Sequence, residues 1–129
     1  MTDPRMKIPG GDHPIEIVRN GSRVIVRLAD SIIADTTNAV TLHEAKYAPV
    51  HYIPRADVVM SLLEPSPTTS YCPFKGEATY YSVGEGGPRD VAWCYEAPYP
   101  AVSEIAGRLA FYPDRVDAIE VREPAEEPK

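Results

Sequence analysis

The stretch Tyr71-Cys72-Pro73-Phe74-Lys75-Gly76-Glu77-Ala78-Thr79-Tyr80-Tyr81 gathers a thiol, an amine, a carboxylate and three phenols within eleven residues. Pro73 and Gly76 are turn residues, and the segment after them predicts a strand over Glu77–Val83. Gly84-Glu85-Gly86-Gly87-Pro88-Arg89 then leads to a second aromatic-rich segment, Val91-Ala92-Trp93-Cys94-Tyr95, so the two read as a hairpin. With Gly84 set opposite Asp90, Tyr81 falls across from Trp93 and Thr79 across from Tyr95. Side chains on a strand alternate between faces. One face then carries Glu77, Thr79, Tyr81, Trp93 and Tyr95, with Lys75 adjoining, and the other carries Ala78, Tyr80, Ser82, Ala92 and Cys94. A slip of one residue would exchange a strand's faces. In this register Cys94 lies opposite Tyr80 and far along the strands from Cys72, so two free thiols are expected.

Outward from this hairpin, 129 residues with 43% hydrophobic content suit one domain with one core. Fourteen prolines, about twice the usual share of about 5%, work against long helices and favour short strands and turns. Towards the N-terminus, Ile15, Ile17 and Val18 precede Asn20-Gly21 and Val24–Leu28 follows, a strong hairpin signal because both turn residues tolerate positive φ. Ser31–Ala34 and Ala39–Leu42 flank the polar cluster Asp35–Asn38 and read as a second strand pair. A short strand, Val50–Ile53, runs into a 3₁₀ turn at Pro54-Arg55-Ala56-Asp57. Val58–Leu63 reads as strand or helix, and Glu64–Thr69, with Pro65 and Pro67, reads as a loop.

On the C-terminal side, one short helix is expected from Pro100 to Ala106, with proline in its first turn and Gly107 as its stop. Leu109–Tyr112 and Val116–Val121 flank Pro113-Asp114-Arg115 and predict a final hairpin. The domain organisation is a flexible lead-in over residues 1–13, a single β domain over 14–121 and a disordered tail over 122–129.

The net charge of −6 works against binding a phosphate backbone or an anionic membrane surface, so neither nucleic acid nor membrane is an expected partner. The stretch Val50–Met60 contains Pro54, Arg55 and Asp57 and does not suit a membrane span. No apolar segment follows the charges in Met1–Lys7, so no secretory signal is expected and the cytoplasm is the expected location.

Four segments, Val50–Val58, Tyr71–Ala78, Ala92–Tyr95 and Ile105–Val116, resemble in order and spacing a widespread bacterial family, domain of unknown function number four-two-seven, across roughly residues 14–121. The resemblance implies a mainly β, compact, complex antiparallel sheet similar to Mss4-like folds, with one short helix. It implies no established activity. Some members are labelled nucleotidyltransferase-like, a chemistry that needs a Gly-Ser turn at a helix start and two close carboxylates holding a metal ion. Here Gly21-Ser22 reads as a hairpin turn, and Asp30 and Asp35 are five apart, on opposite faces of one strand. The chain has no Cys-x-x-Cys pair, and His13, His43 and His51 follow no standard ligand spacing. No metal and no cofactor are expected.

No residue pattern fixes a reaction. The leading expectation is a small-molecule-binding domain for a small polar or anionic ligand, with a pocket of Tyr71, Lys75, Glu77, Tyr81, Trp93 and Tyr95 and with Arg55 at its rim. The first alternative is an enzyme in which Cys72 or Lys75 acts as nucleophile beside Glu77. The second is a homodimeric interaction module using exposed Tyr and Trp. Structural roles stand beside each of these: Cys72 as an inert strand-start thiol, the aromatics as core filling, and Arg55 in an ion pair with Asp57 or Glu64.

Overall fold

Val24, Ile25 and Val26 are consecutive and each no more than 1% exposed, so the strand carrying them is covered on both faces. This strand, β2 (Arg23–Leu28), also has both edges paired. One edge joins β3 (Ser31–Thr36) and the other joins β10 (Ala118–Arg122), the last strand of the chain. No edge is left for β1 (Ile15–Val18), which pairs instead with β4 (Val40–Glu44). The expected hairpin across Asn20-Gly21 therefore does not form. The computed structural model describes residues 4–19, 21–84 and 86–123, so Asn20 itself and the tail beyond Glu123 lie outside the described residues.

Burial, not turn composition, also decides the next pairing. β3 and β4 do not pair across Asp35–Asn38; the chain crosses there from one sheet to another. Thr36 Oγ1 accepts the Asn38 N–H at 2.9 Å and donates to Asp57 Oδ2 at 2.7 Å, which fixes the crossing. The hairpin that does form in this region joins β2 to β3 through Ala29 and Asp30, whose φ values of 52° and 66° are those of a two-residue turn with both central residues left-handed. Asp117 Oδ2 accepts the Ala29 N–H at 2.8 Å and ties this turn to the last strand.

The remaining strands are β5 (Val50–Tyr52), β6 (Leu63–Cys72), β7 (Gly76–Val83), β8 (Ala92–Cys94) and β9 (Leu109–Phe111). They complete three antiparallel sheets, ordered β1-β4-β5, β10-β2-β3 and β6-β7-β8-β9. The fold is mainly β, as the sequence predicts. The Glu64–Thr69 segment is not a loop but part of β6, an edge strand, where Pro65 and Pro67 cost no ladder bond on the open side and the register breaks between Ser66 and Thr69. The expected final hairpin is also absent, because β9 pairs with β8 and β10 with β2. Arg55–Asp57 is the expected 3₁₀ turn. Pro100–Ile105 is 3₁₀ rather than α, broken at Val102, and Gly107 at φ 71° stops it.

The four-stranded sheet is the middle layer. Ala92, Cys94, Leu109 and Phe111 point into a core shared with β2 and β3. Ala78 and Ala110 point the opposite way, into a core shared with β4, β5 and the Pro100–Ile105 turn. A bridge between Ile53 and Leu109 joins the first sheet to the middle one.

Left-handed backbone at a non-glycine residue costs on the order of 1–2 kcal/mol. The double substitution Ala29→Asn, Asp30→Gly is therefore expected to stabilise the chain by about 1 kcal/mol and to raise the thermal midpoint by about 3–5 °C. Calorimetry showing an unchanged or lowered midpoint would contradict the turn assigned here.

Candidate functional site

The pairing of β7 with β8 sets which aromatics face which core. Tyr80 lies opposite Trp93, Thr79 opposite Cys94 and Tyr81 opposite Ala92, one residue away from the expected register. The loop supplies the reason. Val83 N–H bonds the Pro88 carbonyl at 2.8 Å. Asp90, at φ 49°, donates its N–H to Ser82 Oγ at 2.9 Å, so Gly84 and Asp90 never pair. The shift lets the small Ala92 and Cys94 pack against β2 while the indole turns towards β4 and β5. The single face expected to hold Lys75, Glu77, Thr79, Tyr81, Trp93 and Tyr95 is thereby divided between two sides of the sheet.

Trp93 and Tyr95 join Lys75 on one side. The turn Cys72-Pro73-Phe74-Lys75 closes with the Lys75 N–H on the Cys72 carbonyl at 3.2 Å. Gly76 follows at φ 110°, a conformation suited to glycine, and it directs the chain so that Lys75 points inward, 8% exposed. The Lys75 ammonium is ion-paired with Glu44 at the end of β4. The other Glu44 oxygen accepts from His13 Nε2 at 2.8 Å, and the His13 ring stacks on Phe74 with centroids 4.0 Å apart. Burial alone would raise the Glu44 carboxyl, but the hydrogen bonds from Lys75 and His13 outweigh it and hold the group below its ordinary value.

These groups open onto a cavity of about 220 Å³, bounded also by Tyr52, Tyr80 and Tyr112. Tyr80 and Tyr112 lie parallel at 6.5 Å, and Trp93 leans on Tyr112 at 4.4 Å. Trp93 Nε1–H donates to the Tyr52 hydroxyl at 3.3 Å. Tyr52 and Tyr95 are 1% and 6% exposed, and burial pushes both phenols far up, so each is a neutral hydroxyl. Burial, and after it the contact with Tyr80, pushes the Tyr112 phenol up to about 12.

The other expected site residues lie elsewhere. Arg55 donates to the Tyr81 hydroxyl at 2.9 Å and to both Glu96 oxygens at 3.0 Å. Its acidic partner is thus Glu96 rather than Asp57 or Glu64. Cys94 donates its S–H to Glu96 at 3.3 Å, and burial, reinforced by Glu96, pushes this thiol up to about 12. Tyr71 meets Tyr99, hydroxyl to hydroxyl at 2.6 Å, with the Arg5 guanidinium 4.0 Å above its ring. Glu77 is exposed opposite Tyr71 on β6. Cys72 is a free, half-buried thiol packed against the core shared with β4 and β5, with no hydrogen-bond partner for its thiol among the described residues. Among those residues no cluster of three or more His, Cys, Asp or Glu is arranged to hold a metal ion.

Glu44, His13, Tyr52, Tyr80 and Tyr112 complete the site and were not foreseen. Tyr80 follows from the corrected register alone. Tyr52 and Tyr112 lie in two of the four resembling segments, which was the available signal for them. A second, larger cavity of about 280 Å³ lies beside the first, between β2, β5 and β10, and shares Val50 and Trp93 with it.

Residues 16–122 match the family described as domain of unknown function DUF427. The chain belongs to that family. No curated protein matches it. Among the described residues of this DUF427 chain, no helix is long and apolar enough to cross a membrane. Ser22 leads directly into β2, a strand and not a helix. Asp30 sits in the tight turn, and Asp35 is paired with Arg23 at 2.7 Å, so these two carboxylates do not converge on a metal site.

Because the folded chain holds Glu44 below the ordinary carboxyl value of 4.5, its pairing contributes fully above about pH 4.5 and is lost as the pH falls through the lowered value. Glu44→Gln is expected to cost about 1.5–3 kcal/mol at pH 7. The gap between wild type and variant should narrow on acidification from pH 7 to pH 3. Denaturant unfolding at both pH values checks this, and a gap that stays constant between them would contradict the assignment.

Proposed function

We propose that this DUF427 domain binds a small molecule through a carbonyl or carboxylate oxygen in the Lys75 cavity. The observation that carries the reading is the set of donors brought together there. Lys75 uses one of its three N–H groups on Glu44. Tyr52 accepts from Trp93 and keeps its own O–H, and the Tyr95 hydroxyl has no partner among the described residues. These donors line one cavity, and a ligand oxygen entering it would accept from them in place of water. Tyr80, Trp93 and Tyr112 offer ring faces and edges for the body of the ligand.

The charge balance defines the class further. A neutral amide and a monoanionic carboxylate share the required acceptor; because Glu44 already matches the charge of Lys75, the amide adds no charge to the site, the carboxylate adds one and a dianion would add two. Binding is favoured over nucleophilic chemistry because the Cys72 thiol has no hydrogen-bonded base among the described residues and Lys75, as half of an ion pair, acts as a donor.

Trp93 is the only tryptophan, so its fluorescence reports on this cavity. Titration with benzoate, benzamide, butanoate and butanamide is expected to change the emission and raise the thermal midpoint for the acids, the amides or both. Lys75→Met should weaken binding by about tenfold or more, and Tyr95→Phe by about 3- to 10-fold. If none of the four compounds binds, or if both variants bind as well as wild type, the proposal fails.

A further inference from the structure

We infer that the two neighbouring cavities are halves of one site, and that its ligand is amphipathic, with a carbonyl or carboxylate head at Lys75 and an aliphatic chain in the apolar cavity. The inference rests on the preceding reading of the Lys75 cavity and adds what lies beyond Trp93. Ligand pockets usually occupy about 300–1,000 Å³. Cavities of about 220 and 280 Å³ each fall short of that range, and together they enter it. Val50 and Trp93 line both, and the segments 50–53 and 111–113 turn alternate side chains to one cavity and the other, so the two share a wall.

The chemistry of the halves is complementary. The first holds the ammonium, the carboxylate and the phenols. The second is walled by Val24, Val26, Ile53, Phe111 and Ile119 and carries no charged side chain. His51, on its wall, is bonded through Nδ1 to Thr41 Oγ1 at 2.8 Å, and burial lowers its pKa and favours the neutral ring. An apolar cavity of this kind gains from a hydrocarbon chain and offers nothing to a second polar group. Trp93, 3.3 Å from the Tyr52 hydroxyl through Nε1 and leaning on Tyr112 at 4.4 Å, stands between head and chain.

The test is a chain-length series of straight-chain acids and amides from two to ten carbons, with octan-1-ol as the headless control, titrated against the full chain by Trp93 fluorescence and calorimetry. Each added methylene is expected to tighten binding by about fourfold, which makes octanoate or octanamide about two orders of magnitude tighter than its four-carbon counterpart. Ala48 is exposed at the apolar cavity, so Ala48→Trp should abolish that increment while leaving the four-carbon compound unchanged. Affinity that is flat with chain length, with Lys75-dependent binding of the short compounds intact, overturns this inference and leaves the Lys75 reading standing. Octan-1-ol binding as tightly as octanoate and octanamide also overturns it, because the head would then contribute nothing. Absence of Lys75-dependent binding at every length is the different result that removes the reading beneath it.

Discussion

A sheet covered on both faces has no solvent side to receive a misplaced side chain, and that constraint organises this domain. β7, β8 and β9 form the middle layer between two three-stranded sheets. A shift of one position would send Trp93 towards β2, where only Ala92 and Cys94 now fit, each 0% exposed. It would also place those small residues against β4 and β5 and leave a void. Overpacking on one side and cavity formation on the other each cost on the order of kilocalories per mole. The register is thus fixed by side-chain volume on two faces at once, with the bend at Asp90 absorbing the mismatch in the loop.

This explains which features the sequence made legible. The β-rich class, the 3₁₀ turn at Arg55–Asp57 and the short turn after Pro100 depend on local chemistry, on proline at a first turn and glycine at a stop, and they are where the residues say. Three expected hairpins, across Asn20-Gly21, Asp35–Asn38 and Pro113–Arg115, also rest on local turn chemistry, and none of them forms. Their strands pair with partners far along the chain, as β1 with β4 and β2 with β10. Turn residues permit a reversal of direction; they do not choose the neighbour. The choice follows from total burial, which a window of ten residues does not contain.

The candidate site repeats the pattern at finer scale. Lys75, Trp93 and Tyr95 were visible as a reactive and aromatic concentration, and they line the cavity. Tyr81 and Arg55 were visible for the same reason but lie across the sheet with Cys94 and Glu96, because one residue of register separates the two groups. Tyr71 and Glu77 lie away from the cavity, one against Tyr99 and the other exposed. Glu44 and His13 were not visible as members at all. Each is separated from its partner by 31 positions or more in sequence, and a lone carboxylate at a strand end carries no local sign of its partner.

The Glu44–Lys75 pair is the point where packing and chemistry meet. It links the end of β4, in one outer sheet, to the turn that enters the middle sheet, and His13 adds the segment before β1. A well-packed apolar pair in the same place could be equally stable, since desolvation offsets much of the attraction in a buried ion pair. What the ionic version supplies and an apolar one would not is an ammonium held at a defined position beside two neutral phenols. Loss of either partner leaves a largely buried charge without compensation, so the arrangement tolerates no half-measure. The same requirement seats the Cys72–Lys75 turn against β4. The geometry that closes the core at this end is therefore also the geometry that presents Lys75 to the cavity.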